Sequence, residues 1–278
     1  MRYFSPRFQI ATLAGEQRQL MSKIGGIPWG LPSDHWPSCC GRPQKLLAQL
    51  CHEPPMLDLG FPGAVLHLFQ CLECCGIDEY GRDAFVIDGA HLGNGLVRVP
   101  EYDRSPDLGN ALIGEFWITG WEEHEDGIPA ARLAEFFIEE DLWALQDEFP
   151  NIDWFDSRGR TKFGGSPRWT GNGPLEFPPP PFEFLFQLDN YLYLDGFPPS
   201  PNEAGGVVME YEEGTSAEQV YARPDPGMSL INAPWIITHE RSANHHYAGF
   251  TNLGSDGTAY VFIDRTRQPH GVKWYWNR

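Results

Sequence analysis

The sequence predicts an α+β protein that is mainly β, built by internal duplication of a β-rich unit. Three observations carry this reading. The chain holds 30 Gly and 25 Pro in 278 residues, a composition that favours short strands and tight turns over long helices. One motif is written twice, as KIGGIPW over Lys23–Trp29 and as KFGGSPRW over Lys162–Trp169. Each copy is followed at nearly equal distance by an apolar stretch that holds a Gln, LLAQL with Gln49 and FLFQL with Gln187. A fixed spacing over two separate motifs is the mark of a repeated supersecondary unit.

The first unit is expected over residues 1–100. Its GG-x-P segment reads as a turn, because glycines permit positive φ and Pro fixes the exit direction. LLAQL (Leu46–Leu50) then reads as a buried strand whose Gln satisfies a neighbouring backbone group. GAVLHLF (Gly63–Phe69) is a further strand, entered through a glycine. In the second unit, residues 161–278, PLEFPPPPFEF leads rigidly into the FLFQLD strand. GTAYVFI (Gly257–Ile263) matches GAVLHLF but lies much later, so about 196–256 is expected to be an insertion. VKWYWNR closes the chain as a last, aromatic strand. The two copies are expected to pack as one pseudo-symmetric body.

Between the copies lies the charge. The formal net charge is −18, and residues 101–160 hold 16 Asp/Glu against 4 Lys/Arg. This stretch is expected to be an acidic connection with a helix at about 129–148, opened by Pro129. Leu133, Phe136, Phe137, Leu142 and Leu145 recur near helical spacing. A solvated helix face is the plain reading of its acids. The sharper one is a docking surface made by Glu122, Glu123, Glu125, Asp126, Glu139 and Glu140. So acidic a chain is repelled by phosphate backbones, which argues against nucleic acid and for a basic protein partner. No apolar run approaches a membrane span and no secretory signal opens the chain, so a cytoplasmic protein is expected.

Five of the six cysteines sit in two patches, Cys39–Cys40 and Cys71-x-x-Cys74-Cys75. In a reducing compartment such clusters are metal ligands before they are disulfides. C-x₂-C lets two thiolates from one turn span an edge of a tetrahedron. Four thiolates, taken as Cys39, Cys40, Cys71 and Cys74 with Cys75 as the alternative, would close a structural zinc site. Buried thiols and a redox pair are the other readings. The first leaves the clustering unexplained, and the second expects a thioredoxin-like context that is missing here. Cys51 stands alone and reads as packing.

Taken together, Gly25, Gly26, Pro28, Trp29, Cys39, Cys40, Gly41, Pro43, Leu47, Gln49, Phe69, Cys71, Cys74 and Cys75 resemble the programmed cell death protein 2 family. With Gly164, Gly165, Pro167, Trp169 and Gln187 they equally resemble the bacterial YwqG-like family of unknown function. The resemblance covers both copies but neither the acidic middle nor residues 196–256. It departs at Cys39–Cys40, where the eukaryotic relatives tend to have spaced cysteines. What it implies is a non-enzymatic role: a dedicated chaperone of a basic ribosomal protein, or an immunity-type protein that binds a toxin.

Catalytic motifs were weighed against this. HERSANHH (His239–His246) does not match H-E-x-x-H, because the position four after His239 is Ala243. No nucleophile elbow and no phosphate loop occurs in the sequence. The alternative kept open is a hydrolase-type enzyme using the His239–His246 region.

Overall fold

The computed structural model describes residues 1–10, 19–71, 82–95, 115–150, 161–170, 177–189, 191–193, 207–213, 216–223, 235–242, 245–249, 253 and 257–277. In chain order the first strands are β1 (Arg2–Ile10), β2 (Lys23–Ile24), β3 (Ser38–Cys39), β4 (Arg42–Pro43) and β5 (Lys45–Cys51). Next come β6 (Ala64–Gln70), β7 (Arg82–Asp88), β8 (Phe116–Glu125), helix α1 (Glu139–Glu148), β9 (Lys162–Gly164) and β10 (Glu183–Asp189). Then follow β11 (Tyr191–Tyr193), β12 (Val207–Glu213), β13 (Ser216–Arg223), β14 (Trp235–Ser242), β15 (His245–Gly249), β16 (Thr258–Asp264) and β17 (Gly271–Asn277). The protein is mainly β.

Ten strands form one antiparallel sheet in the order β17-β16-β10-β9-β1-β8-β2-β5-β6-β7. The order reads alike from both ends. Outward from the central β1–β8 pair, one arm is β2-β5-β6-β7 and the other β9-β10-β16-β17. β8, which follows the first arm in sequence, pairs with β2 of that arm. β1, which opens the chain, pairs with β9 of the second arm. The two end strands approach each other, with the Arg82 guanidinium of β7 lying 5.1 Å from the Tyr275 ring centroid of β17. The sheet is therefore nearly closed, which shelters edge strands that would otherwise invite pairing.

Closure makes an inside. Ile24, Leu50, Leu66 and Leu68 from the first arm share a single core with Phe163, Phe186, Val261 and Trp274 from the second. One core serves both halves. β6 and β16 are buried at every position, so their opposite faces are covered too. Over the first arm the cover is the segment 25–44: Trp36 packs on Phe69 at 5.7 Å, and its indole N–H donates to the Gln44 carbonyl. Over the second arm the cover comes from the acidic stretch. Phe137 lies 6.2 Å from Phe262 and 5.7 Å from Trp169, beside a cluster of Ile128, Phe136, Leu142 and Leu145.

Two expectations for the acidic stretch are corrected here. Residues 101–160 are not only a connection, because they contribute β8 to the centre of the sheet. The helix expected at about 129–148 is two pieces, a 3-10 helix over Ala130–Phe137 and α1, with Ile138 extended between them. The Phe136 carbonyl accepts the Trp169 indole N–H at 2.6 Å, which turns it out of a continuous helical ladder. Much of the stretch expected as an insertion, 196–256, contributes to a second, five-stranded sheet, β11-β15-β14-β13-β12.

Candidate metal centre

β3 and β4 form a small hairpin whose turn is Cys40–Gly41. Both turn residues have positive φ, 53° and 70°, as a two-residue hairpin turn of matching twist requires. Glycine adopts this at no steric cost. Cys40 carries a Cβ and pays on the order of 1 kcal/mol to sit there. The hairpin is anchored at its base, where the Gln44 amide N–H donates to the Pro37 carbonyl at 2.9 Å and its side chain bonds Asp83 of β7. Cys71 follows directly on β6 and is buried.

These elements bring Cys39, Cys40 and Cys71 together, with all three sulfurs within 4.8 Å of one another. The Cys39 and Cys40 sulfurs are 3.7 Å apart. Around a tetrahedral zinc with bonds of about 2.3 Å, the expected sulfur–sulfur edge is about 3.8 Å. Three thiols in this arrangement can hold a metal ion. Among the described residues no imidazole or carboxylate joins the group, and an all-sulfur donor set suits a soft or borderline cation in a structural role. Cys74 and Cys75 lie outside the described residues. Cys51 is elsewhere, its thiol pushed up in pKa by burial.

The paired turns hold a second set of buried polar groups. Lys23, Gln49 and His67 lie side by side across β2, β5 and β6. Lys162, Gln187 and Tyr260 do the same across β9, β10 and β16. Gln49 accepts the Trp29 amide N–H at 2.6 Å and Gln187 that of Arg168 at 2.7 Å. Arg168 thus stands where Trp29 does, and the Trp169 ring lies tilted against that of Tyr260 at 4.5 Å. Gly26, at φ +69°, leaves room for the Glu115 carboxylate, which a Cβ would strike. Glu115 lies 3.4 Å from the Lys23 ammonium, which also donates to the Ile27 carbonyl at 2.5 Å. Among the described residues the Lys162 ammonium has no hydrogen-bond partner. Burial, then the nearby Arg168, pulls its pKa down to about 7. These residues build the turns, and the Gln pair was legible as structural from the motif.

The acids expected to form a docking surface divide. Glu122 and Glu123 are exposed on β8 and face Arg7 and Arg2 of β1, at 2.6 and 3.5 Å. Glu125 is exposed beside them. Asp126 does not belong to that surface. It is buried, accepts the Ser166 amide and hydroxyl at 2.9 Å each, and pairs with the Met1 ammonium. Burial alone would raise its pKa, but these hydrogen bonds outweigh it and hold the carboxyl below its ordinary range. Glu139 is exposed at the start of α1, and Glu140 follows in the same turn. In the His239–His246 region, cross-strand register sets Arg241 opposite His246 and Ser242 opposite His245.

Among the described residues no helix is long and apolar enough to cross a membrane. Compared with known proteins, the chain matches no family model and no curated sequence.

Proposed function

We propose that this chain is a non-enzymatic, zinc-stabilised protein-binding module, related to the programmed cell death protein 2 and YwqG-like families. The observation that carries the reading is the sulfur cluster. Three thiols from a loop and a strand converge within 4.8 Å of one another, and the Cys39–Cys40 pair stands at 3.7 Å, near the edge length of a thiolate–zinc tetrahedron, with Cys40 held at a strained positive φ in the hairpin turn. Cys74 or Cys75 would complete the set. Zinc in this position ties the cover of the first arm to β6 and does no chemistry.

The same reading makes the fold a duplication. Each unit runs as an opening strand, a GG-x-P strand, a Gln strand and two closing strands, and the opening strands β1 and β8 are exchanged between units. The acidic stretch becomes an insertion in the second unit that doubles as its cover. Support comes from the matched arms and from the matched Lys–Gln pairs.

The partner is a basic protein, either a toxin held in an immunity complex or a ribosomal protein held by a chaperone. The net charge of −18 and the exposed Glu122, Glu123, Glu125 and Glu139 suit such a partner, as does Glu140 next in sequence. Capture on the tagged protein from its native lysate, at low and high salt, tests this. One basic protein retained at low salt and shed at high salt is the expected result. Retention that ignores salt, or a retained acidic protein, contradicts it.

A further inference from the structure

Isolated exposed apolar side chains are ordinary on a protein surface, but their gathering in one place is not. Among the described residues, the large hydrophobic side chains left exposed are Ile138 at 49%, Trp143 at 51% and Phe177 at 37%. All three belong to or touch one segment. Ile138 leads into α1, Trp143 lies on it, and Phe177 packs on Phe137 at 5.1 Å. α1 seats Leu142 and Leu145 against the body of the protein. Trp143, one residue round from Leu142, is turned out to solvent. A solvated helix face gains nothing from an indole that a Gln or Lys would not provide.

The charges around Trp143 select an occupant. Glu139 and Asp147 stand one helical turn before and after it, on the same exposed face. Neither makes an ion pair among the described residues. The acids of β8 differ, since Glu122 and Glu123 already face Arg7 and Arg2. A second copy of this chain would bring like charges together on this face, so self-docking is disfavoured. An Arg or Lys suits both the carboxylates and the indole face.

We propose that the exposed face of α1 is where the basic partner docks, and that the partner supplies an amphipathic basic segment. An apolar side chain of that segment packs on Trp143, and its cations lie over Glu139 and Asp147. This rests on the proposed function, and it narrows the docking surface from the whole acidic stretch to α1.

The test uses the full chain and a fluorescein-labelled amphipathic Lys/Leu peptide, with oligolysine of equal charge as the control probe. Trp143 is exposed, so Trp143→Ala is expected to fold normally, which its melting curve checks. The expected result is that Trp143→Ala weakens the Lys/Leu peptide at least tenfold and leaves oligolysine unchanged. Glu139→Gln with Asp147→Asn should flatten the salt dependence of the peptide. The proposal is overturned if Trp143→Ala leaves peptide affinity intact, or if oligolysine binds as tightly. It is also overturned if the chain sediments as a dimer that Trp143→Ala dissociates, because the occupant is then a second copy. The two readings fail separately. Peptide binding as expected with no basic protein in the lysate capture sinks the function and keeps the surface. A captured basic protein held fully by Trp143→Ala sinks the surface and keeps the function.

Discussion

His67 and Tyr260 occupy matching places in the two arms, each opposite the conserved-geometry glutamine of its turn, and they meet different fates. The Tyr260 hydroxyl donates to the Arg168 carbonyl and accepts the Thr170 amide N–H, both at 2.7 Å. His67 is fully buried, stacks on Phe85 at 5.5 Å, and among the described residues has no hydrogen-bond partner on either ring nitrogen. Burial first, and the Lys23 charge second, push its pKa down to about 3. The unfolded chain takes up a proton at His67 as pH falls below its ordinary 6.5, while the folded chain refuses it until about 3. Stability from this group is therefore complete above pH 6.5 and is lost as pH falls towards 3. His67→Phe should remove that dependence. Urea unfolding at pH 7.5 and 5 should show the wild type losing about 1–2 kcal/mol more than the variant over that interval. Equal losses would mean His67 finds a partner in solution.

At the scale of the element, the GG-x-P turns were legible because their residues act locally. Glycines at positive φ and a Gln twenty or so residues on are visible in the letters. Gln49 accepts from Trp29 and also donates to the Met21 carbonyl at 2.9 Å. Gln187 makes one short bond to Arg168 and a longer one at 3.4 Å. Replacing either by Leu strands a backbone N–H, at a cost of about 1–3 kcal/mol. Gln49→Leu should cost more than Gln187→Leu in denaturant unfolding, and the reverse order would contradict the assigned bonding. What local reading missed depends on distant partners. The Trp169 indole N–H reaches the Phe136 carbonyl, 33 positions back. The helix break at Ile138 lies beside that contact. Asp126 looked like one more surface acid, yet its partners are Ser166, forty positions on, and Met1.

For the whole molecule, the high strand content followed from composition, whereas the sheet order did not. β8 reads FWITGWEEHE, and its exposed second half hides the alternation that would mark a strand. Its place beside β2, with β1 beside β9, is a matter of long-range pairing that periodicity does not encode. The role of the acidic stretch as a cover was hidden for the same reason, since Phe137 gives no sign in sequence that it sits near Phe262. The thiol cluster lies between these cases. Its residue types and spacing pointed to a thiol cluster, and the fold brings Cys39, Cys40 and Cys71 of it together.

That cluster is where the account is most exposed to test, because ligand binding and folding are coupled at a structural metal site. The measurement is zinc content of the purified protein by mass spectrometry together with its melting temperature, for the wild type and for Cys71→Ser. The account predicts one zinc per wild-type chain, loss of that zinc in Cys71→Ser, and a fall in melting temperature on the order of 5 °C or more. A wild-type chain without zinc, or a Cys71→Ser variant with unchanged zinc content, would contradict it.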